Sequence, residues 1–167
     1  MTTPARRRSS PRGGSRGRTR GAIDVTVCRE RGVSGPAGAV VARVAAMVLR
    51  SEGVRRASVS VALVGNATIR RLNARYLGRR RTTDVIAFAF AGAHGATIGD
   101  VYVAPAVARG AAAALGIPAR EEILRLVVHG VLHALGYDHP SGESRLASPM
   151  WRRQEALLAR ALRVETP

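Results

Sequence analysis

The chain has 167 residues, enough for one domain with a real core but not comfortably two. Its apolar stretches are short and interrupted by arginine, which excludes a transmembrane helix, and a single cysteine, Cys28, excludes an intrachain disulfide or a cysteine-rich zinc site. The formal net charge is +16, and all 27 basic residues are arginine; such a surface attracts polyanions, nucleic acid foremost.

Residues 1–21 contain seven arginines, no acid, and otherwise mainly Ser, Gly, Pro and Thr. This composition cannot bury a core, so a disordered basic tail is expected over 1–21 and a folded domain over 22–167. The tail lacks the apolar face of a transit peptide and there is no secretory h-region; a cytoplasmic location is expected.

From Ala22 the pattern changes. Ile23, Val25 and Val27 alternate with Asp24, Thr26 and Cys28 as in a strand. Residues 37–51 carry a helical apolar stripe through Val40, Val41, Val44, Met47 and Val48. Ala57 to Val64 alternates as a second strand. Asn66 is placed to cap a helix through Ile69 and Leu72 to about Tyr76. Gly78-Arg79-Arg80-Arg81 reads as a basic turn. Asp84 to Phe90 is a third strand, a Gly-rich loop with a surface histidine, His94, follows, and Ile98 to Val103 is a fourth strand. Asp100, after Gly99, reads as a turn or strand-start residue.

A helix is expected over Ala104–Leu115, ending at Gly116, and a second from about Pro118 to Leu135. The latter is apolar on most faces and so should be central. Gly142 to Val164 is mostly helical, with Met150 and Trp151 packing in the core. The fold class is α/β (α+β): a single small domain, with a mixed four-stranded sheet packed with helices.

Three of the four histidines lie in one window, His129-Gly130-Val131-Leu132-His133-Ala134-Leu135-Gly136-Tyr137-Asp138-His139. His129 and His133 are four apart and share a helix face. Gly136 can take the positive φ that ends the helix and returns His139 toward them. Three protein ligands leave a zinc position open for water, the catalytic pattern. The spacing matches the metzincin peptidase array H-E-x-x-H-x-x-G-x-x-H, except that Gly130 replaces the glutamate base, which disfavours peptidase chemistry. Asp84 and Asp138 each have two readings, as a carboxylate orienting a ligand or water and as a turn cap. Arg79, Arg80 and Arg81 are candidates for phosphate contact.

The window resembles the hallmark H-G-x-L-H-x-x-G-Y-D-H of the YbeY family of metal-dependent endoribonucleases. Leu72-Asn73 with Tyr76, then Thr83-Asp84-Val85-Ile86-Ala87-Phe88, is similar to that family's L-N-x-x-Y and T-D-V-L-S-F blocks, and Ile98-Gly99-Asp100-Val101 to its L-G-D-I. The resemblance covers roughly residues 22–163. It implies one zinc per chain on His129, His133 and His139, cleavage of single-stranded RNA, maturation of ribosomal RNA at the 16S 3′ end, and ribosome quality control. The partners implied are RNA, as rRNA or ribosomal particles, with no membrane and no DNA specificity. Leu77 stands where the family often has an RNA-contacting Arg, Ala87 where Ser is usual, and Ala89 where Pro is common. Two alternatives from the residues are a ribosome-assembly RNA-binding protein with structural zinc and a metallopeptidase of metzincin-like geometry.

Overall fold

The computed structural model describes residues 23–92, 95–140 and 142–165. The tail expected over 1–21, and His94, lie outside the described residues.

In chain order the elements are β1 (Ile23–Arg29), α1 (Gly38–Ser51), β2 (Ala57–Leu63), α2 (Asn66–Leu77), β3 (Val85–Ala91), β4 (Thr97–Val103), α3 (Pro105–Leu115), α4 (Ala119–Ala134), a 3₁₀ turn (Glu143–Ala147) and α5 (Pro149–Glu165). The strands form one mixed sheet in the order β1-β2-β4-β3. β1, β2 and β4 run parallel, with Val25 opposite Val59 and Val59 opposite Gly99. β3 runs antiparallel to β4 at the sheet edge, with Ala87 opposite Val101.

Period-2 alternation sends Val59, Val61, Leu63, Val101 and Val103 to one face, where all are buried against α1 and α4. α4 contributes Leu124, Val127, Val128, Val131 and Leu132 to this core, and α5 closes it with Met150, Leu157 and Leu158. Burying each large side chain stabilises by roughly 1.5–3 kcal/mol. That sum outweighs the ~1 kcal/mol that a glycine inside a helix forfeits, so α4 tolerates Gly130. On the opposite face α2 covers only part of the sheet, packing Ile69 and Leu72 with Ala62, Ile86, Phe88 and Tyr102. Among the described residues no helix is long and apolar enough to cross a membrane.

Three local expectations are corrected. α2 is preceded by Gly65 as its cap, and Asn66 is its first helical residue; the Glu30 carboxylate instead accepts the Gly65 N–H at 3.0 Å. A distant acid thus meets the positive end of the helix dipole. Asp100 lies in the middle of β4, where it accepts a hydrogen bond from Ser60 Oγ on β2. The closing segment is mostly helical as expected, with α5 starting after the 3₁₀ turn, where Ser148 caps it by accepting the Trp151 N–H at 3.1 Å and Pro149 suits its first turn. Met150 is buried, whereas Trp151 is half-buried, with the Arg145 guanidinium 5.4 Å from its ring centre.

Candidate metal centre

α4 reaches the sheet through two close approaches. A Cβ on Gly130 would stand 2.3 Å from Val101 Cγ1, and one on Gly99 would stand 2.8 Å from Ala134 Cβ. Gly130 therefore faces the sheet, and the ring of its neighbour His129 meets Gln154 of α5. Position 130, which carries the base in the metzincin array, is packed against Val101 and Val85, with no room for even a Cβ.

The end of α4 brings the third histidine round. Gly136 adopts φ +88°. Its N–H donates to His133 O at 2.9 Å, and the Tyr137 N–H donates to Leu132 O at 3.1 Å. This paired bonding is the Schellman closure that glycine permits. Tyr137 then anchors the loop by donating its hydroxyl to Glu52 at the end of α1, a carboxylate also held by Arg153 Nε at 2.7 Å.

His129, His133 and His139 each offer one ligand atom, and these atoms lie within 4.8 Å of one another. Each Nδ1 has its own protein partner: His129 with Gln154 Oε1 at 2.7 Å, His133 with Tyr137 O at 2.9 Å, and His139 with Pro140 O at 2.8 Å. All three partners are acceptors, which assigns the proton to Nδ1 and leaves a lone pair on every Nε2. The Nε2 atoms of His129 and His133 are 3.0 Å apart. Converging lone pairs repel unless a cation lies between them, so the donor set fits a metal ion.

Burial is the first cause that pushes His129 down to about 4, reinforced by its histidine neighbours against the Gln154 hydrogen bond and the charge of Asp84. Burial lowers His133 as well. Both imidazoles are thus neutral at pH 7, the form that binds a metal.

Gln154 is a site residue that the periodicity of α5 did not single out. It is 1% exposed. Its Nε2 donates to Glu155 Oε1 at 2.9 Å, and Arg125 Nε of α4 donates to the same oxygen at 3.0 Å. This chain fixes the amide so that its oxygen faces His129.

Of the two candidate carboxylates, Asp84 caps the start of β3, accepting the Val85 N–H at 2.8 Å and the Thr83 hydroxyl at 3.1 Å, while its charge acts on His129. Asp138 accepts the His139 N–H at 2.8 Å and its charge acts on His133. Both carboxylates therefore make the capping bonds of the second reading, while the ring nitrogens of the histidines bond to Gln154, Tyr137 O and Pro140 O instead. Arg79, Arg80 and Arg81 are exposed on the loop that leads from α2 to Asp84.

The chain matches the family profile described as Endoribonuclease YbeY over residues 31–162. It belongs to the YbeY family. A protein named Endoribonuclease YbeY from Salinispora tropica is 36% identical, over 82% of this chain and 95% of that one. One of the same name from Syntrophotalea carbinolica is 35% identical, over 71% and 82%. One from a Sulfurihydrogenibium species is 36% identical over 58% of this chain, and the match spans only 65% of that relative's length. The solution structure of TM1509 from Thermotoga maritima has a similar fold, with a TM-score of 0.58 and 23% identity, over 84% of this chain and 90% of that one. The histidines, Gly130 and the Tyr137 loop that carry the YbeY pattern all fall within the matched span.

Proposed function

We propose that this protein is a zinc-dependent endoribonuclease specific for single-stranded RNA, acting in the cytoplasm on rRNA or ribosomal particles in maturation of the 16S 3′ end and in ribosome quality control. The observation that carries this reading is the convergence of one ligand atom from each of three histidines within 4.8 Å, with every Nδ1 facing a protein acceptor. Three donors are the number found in catalytic rather than closed structural zinc sites. When bound, zinc supplies Lewis acidity and makes water acidic enough to attack near neutral pH.

The chain's own residues do the rest. His129, His133 and His139 would hold the ion, and Gln154, Tyr137 O and Pro140 O keep their rings oriented. Asp84 and Asp138 add negative charge beside His129 and His133 that favours a bound cation. Arg79, Arg80 and Arg81 hold phosphates and offset charge that builds on the phosphoryl oxygens. Phosphate contacts carry no base readout, so selectivity rests on strandedness, RNA shape or a ribosomal partner. The peptidase reading loses support because position 130 faces the sheet.

The test is incubation of zinc-loaded protein with structured rRNA fragments and mapping of the cut bonds, with His133→Ala as control. Zinc-dependent cuts in single-stranded segments that vanish in the variant are expected. Cuts that persist in His133→Ala would sink the proposal.

A further inference from the structure

Away from the histidines, one surface concavity is lined by Thr68, Arg71, Leu72, Arg75, Tyr76 and Arg80. Arg71 and Arg75 are four apart on α2 and so project from one side of it. Arg80 joins them from the following loop. That loop is pinned: Asn73, 1% exposed, donates from Nδ2 to Arg81 O at 2.7 Å and accepts the Arg79 N–H at its own carbonyl at 3.2 Å. Gly78 permits the turn with φ +68°. Arg80 is therefore held beside the helix rather than trailing from it.

The charge here is largely uncommitted. Arg71 Nη2 donates to Thr68 Oγ1 at 3.0 Å and feels the carboxylate of Glu30, which is itself engaged by Gly65 N–H. Among the described residues, neither Arg75 nor Arg80 has a carboxylate partner. Tyr76 is 54% exposed, with the Arg75 guanidinium 5.4 Å from its ring centre. Guanidinium forks beside a half-exposed aromatic ring suit a phosphodiester with an adjoining base.

The loop after α2 links the concavity to Asp84 beside the histidines. Asp84 is four positions after Arg80, a reach of at most about 14 Å, and it acts on His129. β3 is the sheet edge, with α2 on one face and α4 on the other, so a strand passing that edge meets both.

We propose that Arg71, Arg75 and Arg80 form a phosphate subsite that grips the RNA strand a few nucleotides from the bond cut at the metal centre. The proposal rests on the endoribonuclease reading and extends the basic contact surface from the loop onto α2.

The test is binding of a labelled 20-nucleotide single-stranded RNA by the full-length protein across a salt series, alongside cleavage of the same RNA. Arg71→Ser/Arg75→Ser and Arg80→Ser are compared with Arg55→Ser/Arg56→Ser, which removes two exposed charges elsewhere. The α2 double variant should bind roughly tenfold more weakly, and its log–log salt slope should flatten by about 1.4. Arg80→Ser should lose about half as much slope, and the control should change little. Equal losses in the two double variants would show diffuse attraction and overturn the subsite. So would unchanged binding in the α2 variant, even while cleavage continues and the nuclease reading stands. Binding that depends on Arg71 and Arg75 without any cleavage would keep the subsite and remove the nuclease. A parent protein that binds no RNA would remove both.

Discussion

Gly130 of α4 lies so close to Val101 of β4 that a methyl group there would stand 2.3 Å from Val101 Cγ1. Two effects of Gly130→Ala oppose each other. Alanine favours the helix by about 1 kcal/mol, whereas overpacking a buried site costs typically about 1–3 kcal/mol. Val101 is completely buried and its branched side chain cannot swing aside, so overpacking wins. Denaturant unfolding should show the variant less stable, by up to about 2 kcal/mol. A stabilised variant would mean that helix and sheet separate easily. Gly130→Glu should fail to fold, since a carboxylate would be driven among Val101 and Val85.

Gln154 gives a second expectation. Gln154→Leu keeps the volume but removes the acceptor for His129 Nδ1. Losing such an orienting partner weakens metal binding by about 10–100-fold. Gln154→Glu retains an oxygen toward His129 and should restore most of the affinity. Zinc titration against a competing chelator reads both. Equal affinity in parent and Gln154→Leu would show that the ring holds its orientation unaided.

The histidine array, the central helix and the four strands were legible because each rests on local chemistry: ligand spacing, an unbroken apolar face, or period-2 alternation. What was not legible depends on contacts distant in sequence. Gln154 looks like any polar residue of an amphipathic helix until α5 is laid on α4, and only then is it buried at His129. Glu30 replaces Asn66 at the start of α2 because the fold brings β1 there. Asp100 carried the turn signal of Gly99, yet that glycine serves the close approach of Ala134, and the strand runs through it. A glycine's two uses, freedom of φ and absence of a Cβ, look alike in a sequence.

Each histidine should be needed for the metal. His129→Ala, His133→Ala and His139→Ala leave two donors where three converge. Elemental analysis after dialysis should give about one zinc per chain for the parent and substoichiometric metal for each variant. A full equivalent retained by His133→Ala would refute the ligand assignment.

The half-buried histidines also set a pH dependence. His129 moves from an ordinary 6.5 to about 4 in the fold. Between those values the unfolded chain binds the proton and the folded one does not, so stability falls as pH falls. The loss should begin near pH 6.5, level off near pH 4, and amount to at most about 3 kcal/mol. His133 shifts in the same direction and adds to it. Urea unfolding of metal-free protein at pH 7 and pH 5 measures the slope. A His129→Gln variant should be less pH-dependent than the parent, and an identical slope in the two would trace the effect to other groups.

Deleting residues 1–21 should separate attraction from folding. The segment carries seven arginines and precedes β1, whose first residue is Ile23. The described core draws on residues from Ile23 onward, so cooperative unfolding should survive the deletion with an unchanged midpoint. RNA binding should not survive unchanged. Each phosphate contact contributes about 0.7 to the log–log salt slope on a single strand, so seven engaged arginines would contribute up to about 5. Full engagement demands that every arginine find a phosphate at once, and ordering so many side chains opposes it. A loss of about 2–3 in slope is therefore expected, larger than that from the α2 double variant. The deletion should act mainly at low salt, where counterion release is most favourable. An unchanged slope would show that the segment does not touch RNA, and loss of the cooperative transition would show that it belongs to the folded domain.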